Sequence, residues 1–355
     1  MLRRSAALLP LALAAVLAAG CAPVERAAET PSPASPSSDA SSPTPTPTPN
    51  LEPVRAFDGD CDQMLTIEQR DELLGAGSIT VAEQMALWEP ERPVPVGADP
   101  VGTAGGLACT WYAAEGSEPA AGVRNLTTMV LPAAAVTNEI AAAYSVAFCE
   151  PNYDASACRL GVRVGDDWVS ATVGSEVYEA PEELLSAAVE AVSRNLASAT
   201  KPRPADRTDQ TWSIPDCVEL GEAIGLEDIV GPYRHGYWEG SEQPEDVLFA
   251  SAGIARTCPM FSDSERLDYN THDFRILSPL VAPGLGWQWN QLRTGAAETA
   301  VAVEVAGAAD SFGVDPGYGS VRVFATDGTN IASMWSQDAE VAAEVLSRML
   351  TALSR

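Results

Sequence analysis

Six cysteines stand in the body of the chain, at Cys61, Cys109, Cys149, Cys158, Cys217 and Cys258, and they constrain its fold more than any other feature. A seventh, Cys21, lies apart near the N-terminus. An even set of cysteines in an exported chain reads as disulfides, and spacing alone leaves many connectivities open. An internal repeat chooses among them. Asp58-Gly-Asp-Cys61, followed by Met64-Leu65-Thr66-Ile67-Glu68 and Leu73-Leu74-Gly75, is answered by Ile214-Pro-Asp-Cys217, followed by Leu220, Ile224-Gly225-Leu226 and Ile229-Val230-Gly231. Ala108-Cys109-Thr-Trp111 is answered by Thr257-Cys258-Pro-Met-Phe261, and Val-Arg-Val at 162–164 by Val-Arg-Val at 321–323. Ser193-Arg194 and Ser347-Arg348 sit in the helical run that closes each copy. The four offsets are 156, 149, 159 and 154 residues, a period that fits duplicated domains and not solenoid units. The repeat pairs Cys61 with Cys109 and Cys217 with Cys258, which leaves Cys149 and Cys158 to bracket a short loop, 150–157. A catalytic or metal-binding thiol is the competing role. It is disfavoured because the chain has no Cys-x-x-Cys and only two histidines, His235 and His272.

Residues 1–20 read as an export signal. Arg3 and Arg4 open it, and the run from Ala6 to Ala19 is apolar apart from Pro10, too short to span a bilayer stably. It ends in Leu17-Ala18-Ala19-Gly20-Cys21, which resembles the bacterial lipobox, with Ala18 where leucine is commoner. That resemblance implies that Cys21 becomes the first residue of the mature chain and carries a diacylglyceryl group, with palmitate the expected kind of acyl chain. More than one chain is what stable anchoring takes. Residues 21–55 then form the anchor and a linker: from Thr30 to Asn50, 17 of 21 residues are Pro, Ser or Thr, a composition that cannot build a core. Proline at alternate positions keeps such a segment extended, so it is expected to lift the folded part away from the membrane.

Two related domains are expected beyond the linker, at 56–201 and 208–355, divided by the short polar segment 201–210 and touching one another. Each starts with a helix just after its first cysteine. In the first, Asp60 or Asp62 can cap that helix, and Leu65, Leu73 and Leu74 form its apolar stripe. Leu107–Ala113 and Val123–Leu131 read as strands, Ala133–Phe148 as an Ala-rich helix, Glu89–Gly106 as a long surface loop, and 160–164 with 168–173 as a hairpin. Pro181–Ala199 is the clearest helix, with Leu184, Leu185, Ala188, Val192 and Leu196 on one face. In the second copy, 252–261 and 274–277 are candidate strands, 296–306 a candidate helix, and 320–325 with 331–335 a hairpin. The run 338–353, with Val341, Val345, Met349 and Leu353, is its closing helix. Strands grouped together, with helices at the ends of each unit, predict an α+β class: two related domains, each an antiparallel sheet packed with N-terminal and C-terminal helices.

The formal charge is −28, and −30 without residues 1–20, so nucleic acid is excluded as a partner. Lys201 is the only lysine. Asp58-Gly-Asp-Cys-Asp62 has carboxylates at alternate positions but lacks the glycine and final glutamate of a calcium loop, so no metal is assigned. His235 lies among aromatics and His272 beside an acid, yet neither Gly-x-Ser-x-Gly nor His-Glu-x-x-His accompanies them, so structural histidines are expected. Glu182, Glu183, Glu340 and Glu344 suit the starts of the closing helices, and no catalytic carboxylate is picked out. The aromatic segments around Trp238 and at Trp287-Gln-Trp289 are the candidate binding residues. Tryptophans near glycines can stack on a sugar or anchor a partner, although sealing the core or the domain interface is their plainer role.

With its lipobox and its twofold Asp-x-Cys…Cys-x-aromatic skeleton, the chain resembles actinobacterial cell-envelope lipoproteins of unassigned function. A similar pattern occurs in extracellular sensor domains of bacterial Ser/Thr kinases, but this chain has no kinase domain. The resemblance implies disulfide-bonded domains that bind rather than catalyse, on the outer face of the cytoplasmic membrane. It carries over no catalytic residue and no cofactor. The expectation is a lipid-anchored extracytoplasmic binding or interaction protein that is not an enzyme. Its partners would be the membrane, through the N-terminal lipid, and a cell-wall component, small ligand or envelope protein held in the cleft between the domains. The alternatives are a cell-envelope hydrolase with a carboxylate-based site, and a structural or secretion-partner role.

Overall fold

The computed structural model describes residues 51–88, 97–114, 122–152, 155–175, 181–236, 244–262, 276–315, 317 and 319–354. Cys21, Trp238 and His272 lie outside the described residues. The chain divides into two units, Met1–Pro47 and Thr48–Arg355, and both copies of the repeat belong to the second.

In the first half, helices α1 (Cys61–Met64) and α2 (Ile67–Leu74) lead to strand β1 (Ile79–Thr80) and helix α3 (Val81–Trp88). Helix α4 (Pro100–Thr103) precedes β2 (Leu107–Tyr112), β3 (Val123–Pro132) and α5 (Asn138–Tyr144). Strands β4 (Phe148–Asn152), β5 (Ala155–Val164) and β6 (Asp167–Ser175) run into α6 (Glu182–Leu196). The second half begins with α7 (Cys217–Ala223), α8 (Leu226–Val230), β7 (Tyr233–His235) and α9 (Pro244–Ser251). Strands β8 (Arg256–Thr257), β9 (Met260–Ser262), β10 (Ile276–Leu277) and β11 (Leu280–Ala282) follow, then α10 (Trp289–Gly295). It ends with β12 (Ala300–Val301), β13 (Asp310–Val314), β14 (Val321–Thr326), β15 (Ile331–Ser336) and α11 (Ala339–Leu353).

The class is α+β, with two sheet-bearing halves. One sheet has the order β1-β2-β3-β6-β5-β4 and the other β12-β13-β14-β15-β11-β8, every pairing antiparallel, with a small β10-β9-β7 sheet beside the second. Strands β8 and β9 are one path interrupted at Cys258-Pro259, and β10 and β11 another interrupted at Ser278-Pro279. Proline has no N–H for a ladder, so each path breaks there. The register carries straight across the gap: Leu280 faces Thr257, and Leu277 faces Met260. Rejoined in this way, β7, β8/β9, β10/β11, β15, β14 and β13 repeat the order β1, β2, β3, β6, β5 and β4, with β12 added at the edge.

Local chemistry starts the helices alike in the two halves. Asp60 accepts from the N–H of Asp62 at 2.9 Å ahead of α1, and Asp216 accepts from the N–H of Val218 at 2.8 Å ahead of α7. The cysteine after each cap is bonded to the central strand path, Cys61 to Cys109 and Cys217 to Cys258, while Cys149 and Cys158 join register partners on β4 and β5. Cys61–Cys109 and Cys217–Cys258 are the pairs that the repeat selects, and Cys149–Cys158 is the pair that it leaves. Helix α6 buries Leu185, Ala188 and Val192 against Leu126, Val169 and Val173, and α11 buries Val345, Leu346 and Met349 against Val323, Ala332 and Met334.

Four segments depart from the sequence reading. The span 133–148 is not one helix: Pro132 ends a strand, a 3-10 turn covers Ala133–Ala135, and Thr137 caps the shorter α5 through the N–H of Ile140. The segment between Cys149 and Cys158 is the β4–β5 pair, not a simple loop. In the second half the helix precedes 296–306. Leu285, Trp289, Leu292 and Ala296 are buried at helical spacing, a pattern masked in sequence by flanking glycines. Finally, 97–106 is not a surface loop. Val101, Gly102, Thr103 and Ala104 are buried, because the two halves meet on them.

Candidate functional site

The halves are joined by reciprocal contacts from the segment that precedes each second cysteine. In the second half this segment is α9 and the turn after it. Leu248 and Ile254 pack on Met129, Leu131, Tyr144 and Trp168, the face of the first sheet turned away from α6. In the first half it is 97–104, and Ala98 packs against the cluster of Leu285, Trp289, Phe312 and Phe324 on the corresponding face of the second sheet. Polar contacts fasten the same junction. The Asp99 N–H donates to Gln288 Oε1 at 2.8 Å, and Trp287 Nε1–H donates to Thr103 Oγ1 at 3.0 Å. Asp99 caps α4 through the Gly102 N–H at 2.8 Å, and the Arg55 guanidinium lies 3.5 Å from its carboxylate and 5.6 Å from the Trp287 ring. Burial raises the Asp99 pKa, while the Gly102 N–H and Arg55 pull it back down.

Between these contacts lies a cleft of 270 Å³. Its walls come from equivalent places in the two halves: Pro132 and Pro283 end the second central strand path of each sheet, and Thr103 with Ala104 and Ala252 with Gly253 end the exchanged segments. The divider 201–210 closes one side. Its backbone pairs with the chain before the first half, the Val54 N–H donating to the Arg203 carbonyl at 2.9 Å, and the Ala205 N–H donates to the Thr103 carbonyl at 3.1 Å. Pro204 and Ala205 are thereby held on the cleft wall. Asn330, fully buried, holds another wall: its Oδ1 accepts from the N–H groups of Trp212 and Gly284, both at 3.0 Å, and its Nδ2 donates to the Gln210 carbonyl at 2.8 Å.

Side-chain orientation makes the interior apolar. The Thr103 hydroxyl takes the Trp287 indole, and the Thr211 hydroxyl accepts from the Thr208 N–H at 3.0 Å. Their methyl groups lie 3.6 and 3.7 Å from where a Cβ would sit on Gly284, itself on the cleft wall. Charge is confined to Asp206 and Arg207. Asp206 is 3.8 Å from Arg203, and the exposed Arg207 donates from Nη2 to the Gly253 carbonyl at 2.8 Å.

Of the tryptophans singled out from sequence, Trp287 packs at the junction beside this cleft. Trp289 donates from Nε1 to Asp310 Oδ2 at 2.9 Å and meets the Phe312 ring edge-on, its centroid 5.2 Å away. Both indole N–H groups are thus taken by protein acceptors. Sequence reasoning placed a site between the domains but named none of its walls. Alanine, proline and glycine carry no chemical signature, and only the paired prolines at 132 and 283 repeat between the copies. Among the described residues no cluster of three metal-binding side chains occurs, and no helix is long and apolar enough to cross a membrane. Compared with known proteins, the chain matches no family model, no curated protein and no solved structure. The three disulfides fit an extracytoplasmic location.

Proposed function

We propose that this is a lipid-anchored binding protein of the bacterial cell envelope, two related domains that hold a ligand in the cleft between them. The single observation that carries the reading is that equivalent segments of the two halves converge on one concave apolar space, whose surrounding polar groups are spent on holding the walls. A cavity at a junction of domains is where small ligands bind preferentially. The anchor rests on Leu17-Ala18-Ala19-Gly20-Cys21 and the Pro/Ser/Thr-rich linker, and the disulfides agree with an oxidising exterior. Two measurements test it. Cys21→Ala should release the protein from washed membranes into the medium; equal retention would refute the anchor. Native mass spectrometry of protein purified from its own cells should show a retained mass that Ala252→Phe, which fills the cleft, removes. The cleft reading fails if the wild type carries no such mass, or if the variant keeps it.

A further inference from the structure

Resting on that binding reading, the geometry points to an amphiphile as the ligand class: an unbranched apolar chain in the slot, with an anionic head at Arg207. Carbon makes up most of the surface that the cleft offers. Pro132, Pro204 and Pro283 contribute ring carbons, Ala104 and Ala252 contribute methyl groups, and Thr103 and Thr211 turn their methyls toward Gly284 while their hydroxyls are engaged elsewhere. A sugar or peptide would leave its hydroxyls or amides without partners against such walls, which costs more than the contact returns. A hydrocarbon chain loses nothing there, and each buried methylene favours binding. If a methylene takes about the volume of a water in the liquid, ~30 Å³, then 270 Å³ accommodates roughly nine of them. The length is therefore that of a medium chain or the end of a longer one.

The charged end is set by the rim. Asp206 lies against Arg203, whereas Arg207 has the Gly253 carbonyl as acceptor and, among the described residues, no carboxylate within ion-pair distance. Its remaining N–H donors suit a carboxylate or a phosphate, which guanidinium binds in forked geometry. A free fatty acid and a phospholipid acyl chain share this chemistry.

Titration of the whole mature chain, in its soluble Cys21→Ala form, with decanoate and separately with dioctanoyl phosphatidylglycerol separates the sources. Binding of decanoate alone indicates a free acid, and binding of the phospholipid indicates a lipid chain; either supports the inference. Ala252→Phe and Ala135→Phe, the latter on the turn after Pro132 that also lines the cleft, should weaken binding at least tenfold. Arg207→Gln, an exposed change that removes the guanidinium while keeping an amide donor for the Gly253 carbonyl, should weaken decanoate severalfold and leave decanol unaffected. The inference is overturned if neither amphiphile binds at millimolar concentration, if the two filling variants bind as the wild type does, or if Arg207→Gln affects decanol and decanoate equally. Should the amphiphiles fail while a cell-derived ligand sensitive to Ala252→Phe persists, the cleft still binds and only the ligand class is wrong. Should no ligand of either kind be found, the binding reading falls as well.

Discussion

His235 is half-buried beside α7, its ring edge-on to Tyr233 with centroids 5.1 Å apart, and its two ring nitrogens are shielded from solvent with no hydrogen-bond partner among the described residues. Gly221 permits this approach: a Cβ there would meet the Tyr233 hydroxyl at 2.5 Å and the imidazole at 3.0 Å. Burial pushes the His235 pKa below its ordinary value, with Asp216 and Glu222 opposing. A histidine held neutral in the folded state binds fewer protons there than when unfolded, so stability falls as pH drops through the unfolded value near 6.5. Asp216 and Glu150 have pKa values lowered, by backbone N–H groups and by Arg159 respectively, and their stabilisation is lost only at lower pH. His235→Phe should therefore flatten the decline in urea midpoint between pH 7 and 5, and an unchanged slope would refute the assignment. At this scale the cysteine pairs were legible because a bond needs both partners: the repeat supplied two pairs, and the two cysteines left over made the third. The packing of Trp287 and Trp289 was not legible, since an indole reads the same whether it faces a sugar or Asp310.

Among the elements, the closing helices were the most legible, because α6 and α11 repeat apolar residues at helical spacing behind clear starts. Asp338 accepts from the N–H groups of Glu340 and Val341 at 2.9 and 3.2 Å, satisfying two donors at the start of α11. Asp338→Ala should cost about 1 kcal/mol, read as a lowered urea midpoint, and Asp338→Ser should recover most of it. Less legible were the elements cut short by their surroundings. The Ala-rich span after Pro132 has the composition of one helix, yet the chain must turn under the first sheet and return as β4. The aromatic 285–296 span is helical because its apolar residues cover a sheet face, a partner that the local sequence does not reveal.

For the molecule as a whole, the exchange of segments makes each half part of the other's core. Leu248 has no exposed surface and lies on the first sheet although it belongs to the second half. Leu248→Ala should destabilise by about 2–5 kcal/mol, the range for leucine truncation in a core. The two halves should then unfold in separate steps during calorimetry, where the wild type shows one. A single transition with unchanged midpoint would mean that the junction contributes little. Because the cleft lies on the same junction, a variant that uncouples the halves should also lose whatever the cleft retains.

By itself the sequence determined the class, the two related halves, the three cysteine pairs and the closing helices, because these follow from local spacing and from a pattern present twice. Only the tertiary structure decided which segments cross between the halves, that 97–104 is interior, and where the cleft lies. Those outcomes depend on surfaces far apart in the chain meeting, and small apolar residues such as Ala104, Ala252 and Pro283 gain their meaning only from what stands opposite them.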